Sequence, residues 1–280
     1  MMRRLLLLLF VTATRAAAQS TWVVVEQRVT LDGGRTADDV KRDALYGALG
    51  EAVRRVAGVH VQSGELATRS DSAGRPIDRY VQSVRLDAAG RAIEWHIVGE
   101  EWTKLTKTSA PPAYHLTLRV LVARDTGSPD PSFTLQLTVS RSTLQVRGAA
   151  AASNDELIAT VVAAQRGFAT LVTIVGDSVF VLAPNVVAPE IAVAAGVTTE
   201  IPSAGDRGNG LHFRAMLPAG APVRSELLAV VLTRTPVAIS SGATSTGGVL
   251  SLAEFNRWLS GIPLEQRAIA QTALAIQRTP

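Results

Sequence analysis

Apolar residues recur along this chain with two different periods, and the switches between them mark its elements. Over residues 22–31, Val23, Val25 and Val29 alternate with other positions, as in a strand with one covered face. Asp32-Gly33-Gly34 turns the chain, and Thr36 followed by Asp39 matches a helix capping box with Asp in place of Glu. Val40, Ala44, Leu45, Ala48, Leu49, Ala52, Val53 and Val56 then fall on one helical stripe, and Gly58 is placed to end that helix in a left-handed conformation. The many alanines on the stripe allow close approach to a sheet. Period two returns over residues 80–86 and 91–98, which flank Asp87-Ala-Ala-Gly90 as a hairpin. It returns again over residues 114–122, where Tyr114, Leu116, Leu118, Val120 and Val122 share a face. One long helix over a largely antiparallel sheet predicts an α+β domain.

Asp125-Thr-Gly-Ser-Pro-Asp-Pro131 breaks both periods, because its prolines continue neither a helix nor a central strand; it reads as a linker. Beyond it the pattern is mostly β. Phe133, Leu135, Leu137 and Val139 alternate, as do Leu144 and Val146. Residues 168–182 hold two strand-like runs around Gly176-Asp177, and residues 227–232 form another apolar run. Short strands separated by Gly, Pro and Asn predict a sandwich-like domain. Ser251 and Glu254 form a capping box for a C-terminal helix carrying Phe255, Trp258 and Leu259; Pro263 opens a further short helix, and Leu274 and Ile276 return as a last strand. Residues 240–248, rich in Ser, Thr and Gly, read as a surface loop.

The first eighteen residues follow neither period. Met1-Met-Arg-Arg4, an apolar stretch from Leu5 to Val11 and Ala16-Ala17-Ala18 are the three parts of a secretory signal peptide, and the apolar stretch is short for a membrane-spanning helix. The expected organisation is a signal peptide at 1–18, an α+β envelope-type domain at 19–124, a linker at 125–132 and a β-rich domain with a terminal helix at 133–280.

Export changes the reading of charge. The chain has 28 basic and 24 acidic residues, but Arg3, Arg4 and Arg15 leave with the signal, so about one net positive charge remains. Charges such as Glu51, Arg54 and Arg55 mix in sign, and no clustered basic stripe marks a nucleic-acid partner. Cysteine is absent, which removes disulfides, thiol nucleophiles, thiolate metal sites and the lipid-accepting residue of a lipoprotein. At 47% hydrophobic and 5% aromatic residues, the cores are built from Val, Leu, Ile and Ala.

Two stretches resemble known families. The helix from Thr36-Ala-Asp-Asp-Val-Lys-Arg-Asp-Ala-Leu45 through Glu51-Ala-Val-Arg-Arg-Val-Ala-Gly58, then Val59-His-Val-Gln-Ser63 and Glu94-Trp-His-Ile-Val-Gly-Glu100, resembles the N-terminal domain of flagellar assembly protein T and related bacterial envelope domains. That resemblance spans residues 23–122 and implies an assembly domain of the envelope, not an enzyme. Val179-Phe-Val-Leu-Ala-Pro-Asn185, Ala195-Gly-Val-Thr-Thr-Glu-Ile-Pro202 and Leu217-Pro-Ala-Gly220, followed by the run at 227–232, resemble the family called domain of unknown function 4384 over residues 133–236. Ala183 departs from that pattern, where a bulkier apolar residue is usual, and Ala221-Pro-Val-Arg224 loosens the stretch after Gly220. The family is an accessory module, in some architectures beside a catalytic domain.

Candidate chemistry is sparse. Pro184-Asn185, Ile201-Pro202 and Gly220 read as turns and strand ends. His60, His96, His115 and His212 each sit opposite the apolar face of a strand, and none has the spacing of a metal pair. Glu100 and Glu101 are adjacent in a strand, so their carboxylates point to opposite faces unless a bulge intervenes, whereas a glycosidase needs two that converge. The stretch 205–210 reads as a turn-forming loop, and no nucleophile elbow, Walker loop or dinucleotide fingerprint is present. Trp95, Trp102 and Trp258 are core residues or partner anchors.

The sequence thus predicts a non-enzymatic binding or scaffold protein of the bacterial envelope, exported to the periplasm or outer membrane and not a lipoprotein. No cofactor, metal, catalytic or specific binding residue is assigned, and envelope proteins or cell-wall material are the expected partners, with no membrane span after signal cleavage. The alternatives are a glycan or small-ligand sensor and a hydrolase using scattered carboxylates.

Overall fold

The computed structural model describes residues 20–32, 34–57, 90–103, 111–148, 151–239 and 248–279. The signal segment, Gly58, the strand at 59–63 with His60, the first arm of the predicted hairpin and the loop at 240–247 lie outside them. The fold is mixed α and β, mostly strands in sheets, with a helix near its C-terminal end.

The first sheet has three antiparallel strands in the order β1 (Ser20–Thr30), β3 (Ala113–Arg124), β2 (Gly90–Trp102). Helix α1 (Ala37–Ala57) packs on one face. Its start is fixed as predicted: Asp39 N–H donates to Thr36 Oγ1 at 3.2 Å, and Thr36 N–H donates back to Asp39 Oδ2 at 3.1 Å. Asp38 and Asp39 in the first turn and Arg54 and Arg55 in the last complement the helix dipole. Val40, Ala44, Ala48, Leu49, Ala52 and Val56 are buried against Val25, Leu116, Leu118, Val120 and Val122. The alternation of β3 is thus read correctly. Tyr46, which the stripe omits, is also buried. Gly90 permits close packing where β2 leaves the helix end, since a Cβ there would lie 2.8 Å from the Ala57 methyl.

The larger sheet runs β14 (Val249–Ser251), β9 (Ser178–Ala183), β8 (Gly167–Val175), β13 (Val223–Thr233), β15 (Arg267–Arg278), β5 (Thr143–Val146), with β10 (Ala192–Val193) also paired to β8. All its pairings are antiparallel except β15 with β5. A smaller sheet, β11 (Thr199–Ile201), β7 (Ala159–Ala163), β4 (Leu135–Val139), shares an apolar core with one face of the larger. Helix α3 (Leu252–Ser260) covers the other face through Phe255 and Leu259. The run 227–232 lies in β13, sandwiched on both sides: Leu228, Val230 and Leu232 enter the first core, and Leu227, Ala229 and Val231 enter the second. A strand buried on both faces has no polar phase, which is why it shows no alternation.

The capping box at Ser251 forms as predicted, with Glu254 N–H donating to Ser251 Oγ at 3.2 Å. One expectation needs correcting. Residues 205–210 are not simply a loop: a short helix α2 (Ala204–Gly208) occupies most of them. Ser203 and Asp206 form a capping box that the glycine-rich composition obscured, and only the exit at Gly210, with φ of +89°, keeps the turn character.

Polar contacts join the elements before residue 125 to those after it. Asp125 has a fully buried side chain that lies 3.4 Å from Arg91 Nη2 and 2.5 Å from Arg267 Nη2, both arginine side chains being only 2% exposed. Arg267 also donates to the carbonyls of Leu259 and Ile262 at the end of α3. From α3, Asn256 Nδ2 donates to Ala92 O at 2.9 Å and Arg257 Nη2 to Ile93 O at 3.0 Å, while Trp95 packs against cores on both sides. The stretch 125–131, read as a linker, is docked along its length: Leu264 N–H donates to Thr126 O at 2.8 Å, Ser128 N–H to Glu265 at 3.2 Å, and Arg234 pairs with Asp130. Gly127 is required there, with φ of +78° and the Glu265 carboxylate where a Cβ would stand. On the far side, the Tyr46 hydroxyl donates to Asp177 in the β8–β9 turn. Burial raises the pKa of Asp177, an effect that the bond from Tyr46 and the charge of Arg42 only partly offset.

Candidate binding face

The first sheet has a second face, away from α1, on which cross-strand register lines up side chains in rows. Trp22, Leu121 and Glu94 form one row, Val24, Arg119 and His96 the next, Glu26, Thr117 and Gly99 a third, and Arg28, His115 and Glu101 a fourth. Trp22 is 37% exposed and Val24 54%. The indole stacks on His96 with ring centroids 5.7 Å apart, and the Arg119 guanidinium lies 4.6 Å above it. The result is a platform spanning all three strands, an aromatic ring and an aliphatic side chain framed by charges. β2 has two register irregularities, between Ala92 and Glu94 and between Ile97 and Gly99. At the second, Ile97 stands opposite Leu118 on the helix-side phase and Val98 has no register partner; the two are 57% and 62% exposed.

Neither Trp22 nor Val24 was singled out from sequence. The signal was present in Trp22-Val23-Val24-Val25, which carries apolar side chains on both phases of an edge strand although one phase suffices for the core.

The predicted chemical candidates do not converge. Glu100 faces the helix side, where it accepts from the Tyr114 hydroxyl and lies 3.7 Å from Lys41 Nζ; Glu101 stands opposite His115 on the outer face. The bulge between Ile97 and Gly99 therefore does not bring the two carboxylates together. Burial, then the hydrogen bond to Glu100 and that group's charge, push the Tyr114 phenol up to about 12. Among the described histidines each has a separate polar neighbour at 2.9 Å: His96 has Glu94, His115 has Thr103 and His212 has Glu156. Among the described residues no group of three His, Asp or Glu is arranged to hold a metal, and no helix is long and apolar enough to cross a membrane. Trp102 packs against the core between α1 and the first sheet, beside Tyr114, and Trp258 stacks on Phe255 while donating to Ala238 O at 3.1 Å.

One polar cluster was not foreseen. Asp155 accepts from Gln145 N–H and is paired with Arg147 at 2.8 Å and Arg141 at 3.1 Å; these bonds, that from Arg147 first, hold its carboxyl below the usual range. Its neighbour Glu156 meets His212 and lies 3.8 Å from Arg214 across the short pair β6 (Glu156–Leu157) and β12 (Phe213–Arg214). The buried Asn154 accepts from Arg147 N–H and donates to Ala215 O. With the Asp155 carboxylate committed to Gln145 N–H and two arginines, these bonds fasten segments far apart in sequence. Likewise Asn185 closes its turn, donating to Leu182 O and accepting from Val187 and Ala188 N–H.

A scan against protein-family models and a search of curated proteins found no match to the chain.

Proposed function

We propose that the chain is an exported, non-catalytic binding or scaffold protein of the bacterial cell envelope, acting in the periplasm or at the outer membrane without a lipid anchor. In this reading an envelope-type α+β unit, similar to the N-terminal domain of flagellar assembly protein T, is joined through residues 125–132 to a β-rich unit of the domain of unknown function 4384 type. The observation that carries the binding role is the outer face of the first sheet. Its exposed Trp22 and Val24, ringed by Arg119, His96 and Glu94, have the makeup of a protein-interface centre, an aromatic anchor inside a polar rim.

The test is recovery of partners from detergent-solubilised native envelope with the tagged protein and with Trp22→Ala. One envelope protein held in fixed ratio by the parent and lost by the variant supports the proposal. Equal recovery with both, or none above a mock control, overturns it. A glycan-sensing role is the second reading, because an exposed indole with polar neighbours also stacks on sugar rings. It predicts that cell-wall fragments, not proteins, are retained through Trp22.

A further inference from the structure

Every backbone group of β1 can be assigned a direction. Leu31 N–H donates to Pro112 O at 2.8 Å, and the β1–β3 register runs from Ser20↔Ala123 to Thr30↔Ala113 without a bulge. Opposed residues of an antiparallel pair alternate between those that exchange hydrogen bonds and those that do not. Leu31 fixes the phase: odd-numbered residues of β1 bond to β3, and Trp22, Val24, Glu26 and Arg28 send N–H and C=O to the edge that no strand among the described residues pairs. Two contacts agree with this phase. Arg55 Nη1 donates to Val24 O at 3.1 Å, and Arg35 Nη1 reaches Thr30 O at 3.5 Å. The edge groups of Glu26 and Arg28 lie between these guarded carbonyls. Their side chains stand exposed on the outer face, opposite in sign, in adjacent rows, and without an ion pair among the described residues.

We propose that β1 is a homodimerisation edge, on which a second copy of this chain pairs antiparallel about a two-fold axis at Gln27. An open strand edge is a template for another strand, and charge selects both the occupant and the register. An axis at Glu26 sets that carboxylate against itself, and one at Arg28 does the same to the guanidinium; like charges directly opposed are unfavourable. An axis at Gln27 sets Glu26 of each copy opposite the partner's Arg28, twice, and Val24 opposite the partner's Thr30. Arg55 and Arg35 leave the second lone pair of each guarded carbonyl available, so they narrow the pairing to its centre without blocking it. This inference is independent of the envelope reading.

Sedimentation equilibrium of the purified full chain over a range of concentrations, with Glu26→Arg, Arg28→Glu and the double exchange, tests it. The expected result is a concentration-dependent dimer, weakened about tenfold by either single reversal and restored by the double exchange, in which both pairs are opposite in sign again. Hydrogen exchange supplies a second readout. The Glu26 and Arg28 amides gain protection only at dimer-forming concentration, while Val25 and Gln27 are protected throughout. A monomer at all concentrations, a dimer indifferent to the single reversals, or one that leaves the Glu26 and Arg28 amides unprotected overturns the proposal.

Discussion

The first sheet and the larger sheet solve the same problem with different coverage. β3 concentrates its large apolar residues, Tyr114 to Val122, on the phase that α1 covers, with Leu121 on the other; β13 carries them on both, and lies between the smaller sheet and α3. A strand's own pattern thus reports how many of its faces are covered. β1 violates the rule in one place. It is apolar on both phases at residues 22–25 yet covered on one, and a surplus of that kind marks a surface made for contact.

The largest way to break the comparison is at the junction between the two sheets. Asp125→Asn leaves Arg91 and Arg267 buried without a carboxylate, and the expected cost is about 3–5 kcal/mol, read as a lower midpoint in urea denaturation. A loss below about 1 kcal/mol would mean that the pair of guanidiniums finds compensation elsewhere.

A matched pair of truncations tests the coverage rule directly. Leu228→Ala, on the doubly covered β13, is expected to cost about 2–5 kcal/mol, whereas Val24→Ala on the open face stays within about 0.5 kcal/mol. Equal costs would mean that the outer face is packed in solution. Next in size, Ser251→Ala removes one cap of α3 and should cost about 1 kcal/mol, with Ser251→Gly costing less.

The smallest effect is a pH dependence at the Tyr46–Asp177 contact. Burial raises the folded-state pKa of Asp177 above its ordinary value of 3.8, so folding favours the proton. The stabilisation is present in full below that ordinary value and is lost as pH rises through the folded pKa. Asp177→Asn, which still accepts from Tyr46, should therefore gain in relative melting temperature as pH rises from about 4 to about 7. A constant difference between variant and parent across that range would contradict the assignment.

Much of this fold was legible in the residues. The stripe of α1, the one-sided alternation of β3, the turn at Gly176-Asp177 and the boxes at Thr36 and Ser251 are local signals, each set by neighbours a few positions away. What escaped is long-range. Nothing near Asp125 announces Arg267, and a linker's composition hides a carboxylate that two arginines need. Glu156 and His212 meet only because β6 and β12 pair. Tyr46 sits off its helix's apolar stripe because its hydroxyl serves a distant turn. In the stretch at 205–210, glycines masked a capping box that the same rules used elsewhere would have found. The candidate face was legible only as an excess, since nothing in the local pattern says that Trp22 would lie across to His96.

The place of β15 has a consequence for how the molecule is made. It sits inside the larger sheet, between β13 and β5, and begins with Arg267, yet it is synthesised after every other described strand. While the chain is still emerging, β13 has a bare edge beside its most apolar run, and Asp125 has only one of its two guanidinium partners. The first sheet can close early; the larger one must wait for residues 267–278. Between the synthesis of β13 and the docking of β15, residues 227–232 therefore form an apolar strand with an unpaired edge, the kind of surface that invites aggregation.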